Sequence, residues 1–94
     1  TKPFLERDIA LVVDKSCTSA DVIRVIMKAG KPFLEKVELI DLYEGDNLTP
    51  GKCSHAYRIS YRDQDKMLND KEVQPVHENI RKQLVKSFSA QLRS

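Results

Sequence analysis

No stretch of this sequence stays apolar for long. The longest uninterrupted run, Ile9-Ala10-Leu11-Val12-Val13, falls far short of the ~20 residues that cross a bilayer. No basic segment followed by an apolar one stands at the N-terminus, so no signal peptide is visible. Cysteine is scarce. Cys17 and Cys53 lie 36 positions apart with no CxxC pair, and His55 and His77 do not complete a zinc-ligand spacing with them. Both read as free thiols of a reducing compartment, with a disulfide as the alternative. A dominant sign of charge is lacking too, because the formal net charge is only +2.

Catalytic signatures are equally thin. The segment from Gly45 to Lys52 (GDNLTPGK) has one residue too many between its glycines for a P-loop. Cys53 stands where Ser or Thr would hold Mg²⁺, and a strand rather than a helix is expected to follow. Asn47-Leu48-Thr49 fits the glycosylation pattern, a chance match without a secretory route. No nucleophile elbow, HExxH or kinase motif occurs. Nothing in the chain supports catalysis by these residues alone.

What is present is a foldable chain of 94 residues, 40% hydrophobic and 32% charged, with room for one modest core. It reads as a single domain over residues 1–94. Thr1 is not an initiator methionine, and the domain is expected to be a piece of something longer. Charge is unevenly spread. Residues 1–51 hold seven Lys/Arg and nine Asp/Glu, whereas residues 52–94 hold nine and five. The basic second half suits either a phosphate-bearing partner or an ordinary solvated surface.

Arg7 to Val13 is short and β-branched, which predicts a central strand. Thr18 can cap a following helix, with Asp21 placed to return the hydrogen bond, and Val22, Val25, Ile26 and Ala29 recur at helical spacing up to a stop at Gly30. Leu34 to Tyr43 reads as a second strand whose latter half, from Ile40, is hard to assign to faces and suggests a bulge. Gly45 to Gly51 is hairpin-loop chemistry. In the strand from Cys53 to Arg62, His55, Tyr57, Ile59 and Tyr61 share one face, and Ser54, Ala56, Arg58, Ser60 and Arg62 the other. Asn69 with Glu72 begins a second helix carrying a stripe of Val73, Val76, Ile80, Leu84 and Phe88, with Pro75 near its start. Ala90 to Arg93 can close as a short strand.

The order β-α-β-β-α-β is the split βαβ, or ferredoxin-like, α+β plan: a four-stranded antiparallel sheet with two helices on one face. The other face is left free to bind or to dock. Asp41, a carboxylate late in an apolar strand, is either a solvated edge residue or an acceptor beside an aromatic ring. Tyr43 is either half-buried packing or a platform on which an unpaired base can stack. Arg58 and Arg62 form a solvated stripe or a phosphate track, which Arg93 can join if the last strand pairs. His77, beside the apolar stripe, and His55, on the inner face, read as packing residues.

Several segments, in order and spacing, resemble a known family. They are Arg7-Asp8-Ile9-Ala10-Leu11-Val12-Val13, Val37 to Gly45 (VELIDLYEG), Gly51-Lys52-Cys53-Ser54, Tyr57 to Arg62 (YRISYR), Leu68 to Val73 (LNDKEV) and Leu92-Arg93. Together they are similar to the ferredoxin-fold anticodon-binding domain at the C-terminus of phenylalanyl-tRNA synthetase, of the bacterial β-subunit type or the organellar single-chain type, and the likeness runs from Pro3 to Arg93.

The resemblance implies a tRNA-binding module that recognises the anticodon stem-loop of tRNA-Phe on its open sheet face. It implies Tyr43 as the stacking platform and Asp41 as an acceptor from a base edge. Ser54 and Arg93 would reach the same loop, and Arg58 and Arg62 are added from the residue reading as phosphate contacts. No cofactor is expected in this domain. ATP and Mg²⁺ would serve the parent ligase, whose remaining chain, with an α-subunit, would be the further partner beside tRNA-Phe; no membrane is expected. The implied compartment is a bacterial cytoplasm, with mitochondrial matrix or plastid as the alternative. A non-synthetase, methyltransferase-like protein carrying the same domain as an RNA-binding or docking appendage is the competing reading.

Overall fold

The computed structural model describes residues 5–93. Pro3, the N-terminal limit of the resemblance, lies outside them. The run RDIALVV is extended by Leu5, Glu6 and Asp14 into β1 (Leu5–Asp14), whose alternate residues Ile9, Leu11 and Val13 are buried. Thr18 then caps α1 (Ser19–Ala29), its hydroxyl accepting from the amide of Asp21 at 3.2 Å. The carboxylate of Asp21 turns to Arg24 Nη1 at 2.8 Å, an i,i+3 pair, in place of the capping return expected of it.

Gly30 ends α1, but not through left-handed backbone, since its φ is −84°. It is glycine for space. A Cβ there would lie 2.4 Å from Leu34 Cδ1, at the point where the chain doubles back into β2 (Leu34–Tyr43). The GDNLTPG loop follows, closed by Gly51 at φ +85°, and leads into β3 (Lys52–Tyr61). Helix α2 (Asp70–Phe88) starts with a complete capping box. Asn69 Oδ1 accepts from the Glu72 amide at 2.9 Å, and Glu72 Oε1 accepts from the Asn69 amide at 3.2 Å. Pro75 sits within the helix, which runs through it without a break. Ser89 takes a left-handed φ of 50° and turns the chain into the two-residue β4 (Gln91–Leu92).

The strands order as β2-β3-β1-β4, with every neighbouring pair antiparallel. The ferredoxin-like α+β fold anticipated from element order is therefore the one adopted. One face of the sheet is covered: Ile9, Leu11, Val13, Tyr57, Ile59 and Tyr61 pack with Val22 and Ile26 of α1 and Val73, Ile80 and Leu84 of α2 into a single core. Every one of these side chains is essentially inaccessible to water. Among the described residues, no helix lies on the opposite face.

His55 sits in this core because its ring nitrogens find partners there. Cys53 Sγ lies 3.3 Å from His55 Nε2, and His55 Nδ1 lies 2.7 Å from the Tyr57 hydroxyl. A Tyr57 O–H donated to Nδ1, with Nε2–H aimed at the sulfur, satisfies all three groups. His77 on α2 lies beside the core, its Nδ1 2.8 Å from the Tyr61 hydroxyl. Burial lowers the pKa of both imidazoles; at His77 the nearby Arg81 guanidinium adds to the effect. Both thiols are free, and burial raises their pKa.

Candidate nucleic-acid interface

The open face is assembled from even-numbered residues of β1 and β3, and regular alternation in β2 would add Lys36, Glu38, Ile40 and Leu42. The pairing of β2 with β3 does not stay regular. Val37 faces Ile59, Glu38 faces Arg58 and Leu39 faces Tyr57, but the register then slips so that Asp41, not Ile40, faces Ala56. Ile40 is the extra residue of a β-bulge. The slip reverses the phase of the strand. Asp41 and Tyr43 come to the open face, whereas unbroken alternation would have turned both toward the helices.

Two rows of side chains then cross the sheet at one end. Tyr43, Ser54, Val12 and Gln91 form the first, following the pairs Tyr43–Ser54, Val12–Ser54 and Val12–Gln91. Asp41, Ala56 and Ala10 form the second, which Arg93 completes by bonding its amide to the carbonyl of Ala10 at 2.8 Å. An acid on one edge and a cation on the other thus flank a floor of two alanines. Arg93 Nη1 donates to Ser54 Oγ at 3.4 Å, linking the rows, and Ser54 is almost fully covered. Four of the six residues singled out from the sequence, Asp41, Tyr43, Ser54 and Arg93, are brought together here.

Tyr43 is 41% exposed, yet its phenol end is not loose. The hydroxyl donates to Asn47 Oδ1 at 2.7 Å. It also rests on Gly45, where a Cβ would fall 1.9 Å from the hydroxyl oxygen and 2.3 Å from Cζ. Asn47 and Gly45 were not among the candidates from sequence. Their residue types announce a turn, and a turn residue that also fixes a side chain carries no separate sequence signal.

Arg58 occupies the same face farther along, four residues from Ser54. Its Nε and Nη2 donate to the two carboxylate oxygens of Asp8 at 3.0 and 3.2 Å, and Glu38 faces it from β2. These acids raise its pKa. Arg62 lies beyond the far end of β3, where Nη2 donates to Glu35 Oε1 at 2.6 Å. Neither arginine joins the cluster. The middle of the open face is self-neutralised. Asp8 is bound to Arg58 and Lys36 lies 3.8 Å from Glu38, while at the end of the sheet beyond the Tyr43 row Lys52 donates to Asp14 at 2.6 Å.

A cleft of about 410 Å³ lies between the two helices against Val25, Ala29, Asn79 and Gln83, away from the cluster. Among the described residues no three His, Cys, Asp or Glu side chains group as metal ligands. Among the same residues no helix is long and apolar enough to cross a membrane.

The family model for the ferredoxin-fold anticodon binding domain matches residues 1–93. The phenylalanine–tRNA ligase beta subunit of Synechococcus sp. (strain CC9902) is 53% identical over 94 residues, and that of Prochlorococcus marinus (strain MIT 9313) is 52% identical. The beta subunit of Trichormus variabilis (strain ATCC 29413 / PCC 7937) is 44% identical. In each case all of this chain is covered, but it spans only 12% of the relative's length. Of the two subtypes that the sequence resembles, these relatives represent the beta-subunit type. The chain belongs to the ferredoxin-fold anticodon-binding domain family.

Proposed function

We propose that this domain reads the anticodon stem-loop of tRNA-Phe for a phenylalanine–tRNA ligase in a bacterial cytoplasm. The observation that carries the reading is the outward-facing Tyr43 ring, held at the same end of the open sheet face as Asp41, Ser54 and Arg93. Single-stranded RNA is recognised by stacking splayed bases on aromatic rings and reading their edges. The hydroxyl of Tyr43 already donates to Asn47, so the ring offers its face and not a hydrogen-bond donor. Stacking of that kind is tolerant of base identity. Discrimination therefore falls to Asp41 as an acceptor from a base amino or imino group, with Ser54 and Arg93 supplying hydroxyl and guanidinium donors. The floor of Ala10 and Ala56 lets a base lie close to the backbone.

Arg58 acts on phosphate only by releasing Asp8, and Arg62 only by releasing Glu35; both are secondary contacts in this reading. ATP and Mg²⁺ chemistry belongs to the rest of the ligase, which with tRNA-Phe and an α-subunit makes up the proposed set of partners.

The test is binding of tRNA-Phe to the full-length protein, wild type against Tyr43→Ala, at several salt concentrations. The expected result is a loss of roughly 1–3 kcal/mol with an unchanged salt slope, because a stacking contact releases no counterions. Unchanged affinity in a folded mutant would overturn the reading and leave the open face as a docking surface for another part of the protein.

A further inference from the structure

We infer that Asn47 and Gly45 are positioning residues for RNA recognition, forming a latch that fixes the plane of the Tyr43 ring. This rests on the proposal that Tyr43 stacks on a base. Gly45 does not need to be glycine for its backbone, because its φ lies outside the left-handed region, unlike that of Gly51. What excludes a larger residue is the ring itself: Oη, Cζ and Cε2 of Tyr43 lie within 2.9 Å of the position a Cβ would occupy. One end of the ring is thus seated on bare backbone. The hydroxyl is then tied to Asn47, four residues on and within the same loop.

An exposed tyrosine at a strand end is otherwise free to rotate about χ1, and each rotamer turns its face in a different direction. A platform that must be ordered at the moment of binding loses affinity to that ordering. Seating the phenol on Gly45 and bonding it to Asn47 settles the orientation beforehand. The hairpin loop therefore belongs to the reading surface even where it does not touch RNA.

The experiment is a double-mutant cycle on tRNA-Phe binding by the full-length protein, using Tyr43→Phe, Asn47→Ala and the pair, beside Tyr43→Ala and Gly45→Ala. Tyr43→Phe keeps the stacking ring and removes only the latch hydroxyl. The expected result is that Tyr43→Phe and Asn47→Ala each weaken binding about three- to tenfold, the size of one hydrogen bond. The double mutant should be no weaker than either single mutant. Gly45→Ala should weaken binding at least as much, with the melting temperature of each variant showing that the loop still folds. Additive effects would indicate two separate contacts and overturn the latch. Wild-type binding by Tyr43→Phe and Asn47→Ala, with a loss in Tyr43→Ala, would overturn the latch and leave the stacking proposal standing. Wild-type binding by Tyr43→Ala would remove both.

Discussion

Arg58 shows how little residue type says about what a charge is doing. On an open sheet face an arginine four residues from the candidate cluster looks like a phosphate contact, and nothing in the sequence reveals the carboxylate directly across the strand pair. Asp8 is 50 positions away in the chain and takes both ends of the guanidinium fork. The ion pair is half-exposed and contributes little to stability, so its main effect is on the local field. Asp8→Asn removes that partner and leaves only the weaker influence of Glu38 and Glu6 on Arg58. The expected outcome is tighter RNA binding with a salt dependence steeper by about one counterion, checked by repeating the titration across salt concentrations. An unchanged slope would place Arg58 outside the RNA path altogether. That Tyr43 and Asp41 share a face was legible, because residues two positions apart in a strand do so whichever face that is.

At the scale of elements, the sequence was most informative where local chemistry decides the outcome. The Asn69–Glu72 capping box, the Thr18 cap and the alternation of Cys53 to Tyr61 all appear as read, since each depends on neighbours within a few residues. The cap of α2 has a measurable weight. Asn69→Ala removes an acceptor for the Glu72 amide and is expected to cost about 1 kcal/mol, lowering the melting temperature by roughly 4–8 °C for a domain of this size. Thermal unfolding monitored by circular dichroism checks this. Less legible was the phase of β2, because a bulge at Ile40 is set by pairing with β3 and not by β2 itself. The alternation of Val37 and Leu39 stops being a guide at the point where the candidate residues begin. Gly30 shows the same limit. A helix-stopping glycine suggests left-handed backbone, whereas its actual role is clearance for Leu34, a contact made by tertiary packing.

For the whole molecule, the buried histidines couple the fold to pH. Burial depresses the pKa of His55 and His77 below the ordinary value of 6.5, so the unfolded chain binds protons that the folded one does not. By linkage, stability is then fully present above about pH 6.5 and is lost as pH falls through the window between the unfolded and folded values. A melting temperature that drops between about pH 7 and pH 5, and drops less in His55→Gln, is the expected result. A flat profile would mean that folding leaves the proton affinity of neither imidazole changed. Fold class was legible from the order of elements alone, since a helix-covered sheet built as β-α-β-β-α-β has few ways to close. The burial of His55 between Cys53 and Tyr57 was visible only as a shared face, and its hydrogen-bonded chain needed the third dimension.

The pairing of acids and bases across the middle of the open face bears on kinetics. The middle of a sheet whose cations are already matched projects little field into solution and does little to draw a polyanion toward itself from a distance. Encounter with an RNA loop would proceed in the unsteered range of roughly 10⁵–10⁶ M⁻¹s⁻¹. Correct and incorrect loops would arrive at similar rates, and the choice between them would be made by how long each stays.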